Sequence, residues 1–385
     1  MKILAITDYY RDQPENGSEV FCCELINALR GAHEIDVLAR TSPSFGHTRN
    51  RPRWSIDDRV ANDSAAFAQF LSHIDTTRYD LVYNAGALMF GCEVVELLRI
   101  FNPALPLVNH YQALLGPYAD AEGKSAGEAS AHAAGQMLAA AGAHANIFIS
   151  QAEQEAAIRS GMQLEDGIAT IIPNGLSFAE LDQVRADRSF LPRGRENSLV
   201  IATAGRFSDL VKGADLVYRA FIQLAAENRD VFLVSITNSD RFAFILDDVP
   251  PDRWCRLSWL PRQQFLQTLS GSDLVVLPSR HEPFGLIAIE ALSLGVPVLA
   301  NAVGGLAEIV RHGEFGILNP LDDGSFGLYT ALAHLVQDRT QLSKMGRDGQ
   351  RFVRNKYSIE RIVTLTDAVL HEALLIWRAQ WLSVV

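Results

Sequence analysis

The sequence predicts an α/β protein of two doubly wound domains, each built on a parallel sheet. Three observations carry that expectation. Short β-branched runs alternate with longer amphipathic ones almost throughout the chain. The short runs fall into two sets. A polar stretch with Pro192 and Gly194, DRSFLPRGRENS at 187–198, separates the sets and reads as a linker.

The first set is KILAIT (2–7), EIDVLA (34–39), DLVYN (80–84), PLVNH (106–110), NIFIS (146–150) and ATIIP (169–173). The second is LVIATAG (199–205), VFLVSIT (231–237), WCRLSW (254–259), DLVVLP (273–278), VPVLAN (296–301) and FGILNP (315–320). Segments between them, such as SEVFCCELINALRG and GADLVYRAFIQLAAEN, place apolar residues at three- and four-residue steps, as core-facing helices do. The Ala-rich stretch 119–145 reads as a helix pair, and the tail from Ser358 as one long amphipathic helix. The expected division is therefore 1–186, a linker at 187–198, 199–357, and a terminal helix at 358–385. At 385 residues the chain is long enough for two cores.

Composition narrows the function. Residues 1–180 hold 12 Lys and Arg against 22 Asp and Glu, a formal −10, whereas 181–385 hold 22 against 23. An acidic first half argues against nucleic acid as its ligand. The basic stretch RTSPSFGHTRNRPRWS, with Arg40, Arg49, Arg51 and Arg53 beside Trp54, reads as a solvated loop, with contact to anionic lipid as the alternative. The opening MKILAITDYY has too short an apolar run for a signal segment, and no uncharged run of about 18 apolar residues exists, so a cytoplasmic protein is expected. Cys22, Cys23, Cys92 and Cys255 show no metal-ligand spacing, and no Asp-x-Asp occurs; no metal and no cofactor are expected.

Candidate chemistry gathers at strand ends, because ligands of open parallel sheets lie outside the carboxyl ends of the strands. HEPFGLIAIEAL, 281–292, places Glu282 and Glu290 in an apolar run after the strand ending at Pro278. A buried carboxylate needs a partner. Vicinal hydroxyls, as on a ribose, would satisfy Glu290; an arginine bridge across the helix layer is the alternative. The helix after Gly285 points its first amides at the same loop, which favours an anionic ligand. GRFSDLVKG, 205–213, adds Arg206 and Lys212, both suited to phosphate oxygens. Gly17 in PENGSEV and Gly304-Gly305 in NAVGGLAEIV allow close backbone approach to a phosphate. His110 ends the strand PLVNH and would face a cleft between the domains.

These pieces together resemble retaining nucleotide-sugar glycosyltransferases of the GT-B fold, family 4. The likeness covers nearly the whole chain. It rests on PENGSE, IIPNGLSF (171–178), GRFSDLVKGAD (205–215) and above all SRHEPFGLIAIEALSLGVPVLANAVGGLAEIV (279–310), which holds the family's Glu-x7-Glu as Glu282 and Glu290. The resemblance implies two facing Rossmann-like domains with a cleft, the donor on the second and the acceptor mainly on the first. The terminal helix would cross back to the first domain. It implies that Glu290 binds the ribose, while Glu282 and the amides of Phe284, Gly285 and Leu286 meet the sugar and phosphates. Arg206 and Lys212 would neutralise the departing diphosphate without a metal. Gly17 would complete the phosphate cradle on closure, and His110 would hydrogen-bond near the transferred sugar. Retention is attributed to front-face attack, with no enzymic nucleophile.

The expected reaction is transfer of a hexose or N-acetylhexosamine from a nucleotide-diphosphate sugar, UDP ahead of GDP, to a hydroxyl of a sugar, glycolipid or small molecule. Two other readings share the fold: a sugar-nucleotide epimerase and a silent nucleotide-sugar-binding partner. The acidic first domain leans towards a cationic soluble acceptor such as an aminocyclitol, with peripheral membrane contact left open. Three departures stand out: Asn16-Gly17 where the family commonly has two glycines, NSDRF (238–242) in place of a glycine-rich turn near the base, and His281, for which no role is assigned.

Overall fold

The structure, a computed structural model, describes residues 1–11, 17–41, 52–121, 123–164, 167–207, 209–227 and 229–382. The chain divides into two compact units, Met1–Gly175 with Ile359–Val385, and Leu176–Ser358.

The first unit holds β1 (Lys2–Tyr9), β2 (Glu34–Thr41), β3 (Trp54–Asp57), β4 (Leu81–Asn84), β5 (Leu107–Tyr111), β6 (Ala145–Phe148) and β7 (Ile168–Ile171). They form one sheet in the order β3-β2-β1-β4-β5-β6-β7, every neighbouring pair parallel. Every residue of β4, β5 and β6 is buried, so both faces of these strands are covered and the runs are apolar rather than alternating. On one face Leu4, Ile6, Leu38, Val82 and Leu107 pack against Phe90, Val94 and Leu98 of the helix Met89–Phe101. Burial of each such side chain stabilises by roughly 1.5–3 kcal/mol. Polar residues inside this sheet are paired across the register: Asn84 Nδ2 donates to Asn109 Oδ1 at 3.1 Å, and Asn109 Nδ2 to Asn146 Oδ1 at 3.1 Å. The final helix, Ile359–Leu382, packs on the helix Gly17–Leu29 and reaches β4, β5 and β6.

The second unit holds β8 (Leu199–Ala204), β9 (Val231–Ile236), β10 (Trp254–Leu257), β11 (Leu274–Leu277), β12 (Val298–Asn301) and β13 (Gly316–Asn319). Their order is β10-β9-β8-β11-β12-β13, all parallel. This is the doubly wound 3-2-1-4-5-6 arrangement, in which the connection direction reverses between the first and fourth strands and opens a crevice there. In each unit the reversal lies beside the first strand: between β1 and β4, and between β8 and β11. The second core joins Ile201, Leu233, Val276 and Leu299 to Val217, Phe221 and Leu224 of the helix Ala214–Ala226, and to Leu328 and Leu332.

Two features differ from the sequence reading. The strand β3 lies where a loop was expected; its four residues, WSID, are half polar and carry no periodic signal. Beside it Arg40 Nη2 binds Asp58 at 2.7 Å and Arg53 binds Asp36 at 3.0 Å, so two of the four loop arginines are engaged in ion pairs; Arg49 and Arg51 lie outside the described residues. The stretch 187–198 belongs inside the second unit. Arg188 binds Asp273 at 2.8 Å, and Arg195 binds Asp252 at 2.7 Å and Asp230 at 3.3 Å. Polar, Pro- and Gly-bearing composition is shared by linkers and by loops tied down through ion pairs. The chain instead passes between units at 175/176 and 358/359, where Leu176 N donates to Tyr357 O at 2.8 Å.

Candidate functional site

Three loops of the second unit meet at its switch point. β8 leads into Gly205 and the single 3-10 turn Leu210–Lys212, and the chain then turns at Gly213, φ 68°, into a helix. β11 leads through Pro278 to Gly285, φ 110°, which opens the helix Leu286–Ser293. β12 ends at Asn301 and is followed by Gly304, φ 47°. The loops touch backbone to backbone. A Cβ on Gly213 would lie 2.0 Å from the Pro278 carbonyl oxygen, and one on Gly304 would lie 2.0 Å from that of Glu282. Only glycine fits at either point, for space and for φ alike. Hydrogen bonds fix the contact: Gly305 N to Glu282 O at 3.0 Å, Arg280 N to Val211 O at 2.7 Å, and Asn301 Nδ2 to Pro278 O at 2.8 Å. Arg280 also grips Asp215 with two bonds of 2.8 and 2.7 Å and the Leu210 carbonyl at 2.8 Å.

On this frame the charged side chains pair. Lys212 Nζ lies 2.8 Å from Glu282 Oε2, to which Ser279 Oγ also donates at 3.2 Å. Glu290 is 5 % exposed, and its Oε1 accepts from Arg262 Nη1 at 2.6 Å. Arg262 further binds Glu180 at 3.0 Å. The arginine alternative for Glu290 is therefore realised, with Oε1 as the engaged oxygen. Arg206 extends into solvent, 3.9 Å from Asp209. Phe284 is buried and packs edge-on to Tyr357, centroids 5.8 Å apart, so its side chain serves the core and only its backbone faces a ligand role. Gly285 and Leu286 open the helix as expected, directing its N-terminal amides and partial positive charge into the loop. His281 is held below the ordinary imidazole range, chiefly by burial; Glu282 opposes this and Lys212 adds to it.

The first unit presents a different set. Gly17 begins the helix Gly17–Leu29, while residues 14–16 of PENGSEV, including Asn16, lie outside the described residues. Glu19 of that segment is buried with Arg11, Nε to Oε2 2.9 Å. Asp8, at the end of β1, is pushed up to about 6 by burial, with Arg40 opposing and Glu19 and Glu93 adding to the shift. His110 is a correction. Its side chain is wholly buried within the unit, edge-on to Phe21 at 5.7 Å and joined through Nδ1 to Tyr83 Oη at 2.8 Å. β5 is covered on both faces, so a position near a strand end does not bring the side chain to a surface. Burial drives His110 down to about 4, the backbone of Ile172 opposing, so the imidazole is neutral at pH 7. Its Nε2 makes no hydrogen bond of good geometry. Gln112, two positions on, and Asn174 share this state: Asn174 Nδ2 donates to Gln112 Oε1 at 3.0 Å, while Gln112 Nε2 and Asn174 Oδ1 have no partner. Buried polar atoms of this kind are rare and mark a place where a further polar group belongs.

Sequence reasoning missed Arg262, Arg280, Asp215, Ser279 and Asn301. Arg280, Ser279 and Asp215 sit inside the motif segments already singled out, so a search for partners of the motif charges finds them. Arg262, 28 positions before Glu290, gives no local signal.

Two doubly wound parallel sheets of seven and six strands, each in its own unit, define the two-domain α/β architecture of the GT-B class. The family model described as Glycosyltransferase Family 4 matches residues 15–180, and that described as Glycosyl transferases group 1 matches 198–338. The chain belongs to the group 1, family 4 glycosyltransferases. Among curated relatives, N-acetyl-alpha-D-glucosaminyl L-malate synthase of Bacillus anthracis is 29% identical over 168 residues, 43% of this chain and 43% of the relative. D-inositol 3-phosphate glycosyltransferase of Rhodococcus jostii (strain RHA1) is 39% identical over 106 residues, 26% of this chain and 23% of the relative. The matched span is thus less than half the length of these relatives. Among solved structures, sucrose-phosphate synthase from Thermosynechococcus elongatus superposes with TM-score 0.78 at 21% identity, covering 96% of this chain and 98% of the other. Anabaena HepE in complex with UDP and glucose gives 0.75 at 21%, covering 96% and 99%. These likenesses speak for the fold. No described helix is long and apolar enough to cross a membrane.

Proposed function

We propose that this chain is a retaining glycosyltransferase that moves a hexose or N-acetylhexosamine from a nucleotide-diphosphate sugar, UDP-linked first, to a hydroxyl acceptor. The observation that carries the reading is the loop cluster at the β8/β11 switch point. It holds the Lys212–Glu282 pair at 2.8 Å beside the first turn of the helix Leu286–Ser293, on a frame that admits no side chain at Gly213 or Gly304. Preset charges and amides of this kind stabilise charge that develops on a departing diphosphate, and they require no reorganisation at the moment of reaction.

In this reading Arg206 and Lys212 take the negative charge of the leaving group, so no divalent cation is needed for transfer. Glu282 both orients Lys212 and accepts from a sugar hydroxyl. Glu290, with Oε1 on Arg262, uses its remaining acceptor capacity for the ribose. Gln112 and Asn174, in this reading, offer their unpartnered atoms to hydroxyl groups. The leaving phosphate draws off the acceptor proton on the face where the new bond forms. Two relatives are named for L-malate and D-inositol 3-phosphate, which supports a small hydroxylated acceptor here. The acidic balance of residues 1–180 favours a cationic one, such as an aminocyclitol.

The test is thermal unfolding with UDP-, GDP-, ADP- and dTDP-sugars in EDTA, followed by product analysis with a panel of neutral, anionic and cationic polyols. A ligand at 100 times its dissociation constant adds about 2.7 kcal/mol, a shift of a few degrees. A shift with UDP-sugars in EDTA and an axial product from an axial donor is the expected result. Binding without transfer to any acceptor moves the assignment to a silent nucleotide-sugar-binding partner; isomerisation of the donor sugar alone moves it to an epimerase.

A further inference from the structure

The final helix of the first unit carries Asp367 and His371 one turn apart, and both side chains project from the same face. Opposite them stands His33, in the turn between the helix Gly17–Leu29 and β2. His33 Nε2 is 2.6 Å from Asp367 Oδ1, and His371 Nδ1 is 3.1 Å from the same oxygen. The three donor atoms lie within 4.8 Å of one another, the only such grouping of metal-binding side chains among the described residues. The imidazoles are 5.6 Å apart, centroid to centroid, and tilted by 51°. The His33 side chain is 3% exposed and that of His371 55%, so the cluster is anchored on one side and open to water on the other. His33 Nδ1 accepts from the Met1 ammonium at 3.4 Å; with Nε2 on a metal, Nδ1 carries the hydrogen and Met1 must be a neutral amine to accept it.

We propose that His33, Asp367 and His371 form a binding site for a divalent transition-metal ion of the zinc type. Its ligands are His33 Nε2, an Asp367 carboxylate oxygen and His371 Nδ1, with a fourth position left to water. A tetrahedral ion with bonds of about 2.0–2.2 Å holds its ligand atoms roughly 3.3–3.5 Å apart, so side-chain moves of about 1 Å complete the set. Two imidazoles and one carboxylate suit zinc, cobalt or nickel; calcium and magnesium take oxygen ligands. The ion would replace the proton that His33 Nε2 shares with Asp367 Oδ1, and His371 Nδ1 would leave the Asp367 backbone carbonyl, now 2.9 Å away, to face the metal. The ion would also join positions 334 residues apart in sequence, fastening the last helix to the body of the first unit. The site belongs to the first unit, whereas Lys212, Glu282 and Glu290 belong to the second, so its role is structural and leaves metal-independent transfer intact.

The experiment uses the full chain without an affinity tag, stripped with EDTA, dialysed free of the chelator and titrated with Zn²⁺ and Co²⁺ by calorimetry and visible absorption, alongside thermal unfolding. The probe variant is His371→Ala, an exposed helix position whose metal-free melting temperature should match the parent within about 1 °C. The expected result is one Zn²⁺ per chain and a rise in melting temperature with the metal. Co²⁺ should show the intense absorption of a low-coordinate site. His371→Ala should bind about 100-fold more weakly or worse, since losing a ligand costs more than the roughly 10–100-fold lost with a supporting group. No saturable binding to the parent overturns the proposal. Equal binding by parent and His371→Ala overturns it too, because the ion is then held elsewhere.

Discussion

At the switch point of the second sheet the acids and bases come in pairs. Lys212 meets Glu282, Arg280 meets Asp215, and Arg262 meets Glu290 and Glu180. The first sheet instead holds Asp8 near 6 at the end of β1, His110 near 4 on β5, and buried polar atoms of Gln112 and Asn174 without partners. One topology thus carries two states of preparation. The paired loops are finished before any ligand arrives, which suits the diphosphate of the proposed donor, the same in every turnover. The unpaired atoms are unfinished, and in the proposed reaction the sugar and acceptor hydroxyls complete them. A buried pair is costly to break from one side, and an unpaired buried atom is already a cost. Substitutions should therefore act on activity and stability together in the second unit and separately in the first.

The largest effect is expected for Glu282→Ala. It removes the carboxylate that orients Lys212 and receives Ser279, and transfer at saturating donor should fall about 10³-fold. Turnover near the parent value would remove the paired loops from the mechanism. Gly304→Ala comes next. Its methyl group would lie 2.0 Å from the Glu282 carbonyl oxygen at φ 47°, so the unfolding free energy should drop by about 3 kcal/mol or the loops should part. Urea denaturation reads the first outcome and loss of nucleotide binding the second; an unchanged variant on both counts would mean the loops are not locked. The first unit should respond in the opposite way. In Gln112→Leu/Asn174→Leu both partners become apolar together, so stability should hold within about 1 kcal/mol while transfer falls roughly 10–100-fold. Equal losses in stability and activity would erase the distinction between the two regions.

Much of this was legible in the sequence, and the limits are physical. Twelve strands announce themselves as short apolar runs, and the inner ones, β4 to β6, β8, β9, β11 and β12, do so because they are buried on both faces; β3, four residues and half polar, does not. Glu282 and Glu290 are legible as charges in an apolar run. Their partners are split: Lys212 sits in a motif of its own, whereas Arg262 becomes a partner only when the sheet brings its helix alongside. His110 shows the converse limit. Its residue type was readable, but its burial depends on Phe21 and Tyr83, which come from other elements. The grouping of His33 with Asp367 and His371 needs contact across 334 positions and leaves no trace in any local window.

The smallest effect sharpens the comparison within the first unit, through pH. The buried His110 binds its proton only near pH 4, against an ordinary 6.5, so its contribution to stability is present above 6.5 and lost as pH falls towards 4. Asp8 has the opposite sign. Its carboxyl is raised from 3.8 to about 6, so its contribution is present below 3.8 and lost as pH rises through 6. Between pH 4 and 6 the two slopes oppose each other, and the pair leaves stability nearly level. Asp8→Asn removes one side of that balance. Relative to the parent it should be more stable above pH 6, by on the order of 1–2 kcal/mol, and the gain should vanish by about pH 4. The raised group Glu96 remains in both proteins, and Glu93, which faces Asp8, titrates lower once that charge is gone, so the difference curve reads Asp8 together with its coupling to Glu93. Urea denaturation at pH 4.5, 6 and 8 measures it. A gain that does not change with pH would show that Asp8 is not the proton-binding counterpart of His110, and that the first unit is no less settled electrostatically than the second.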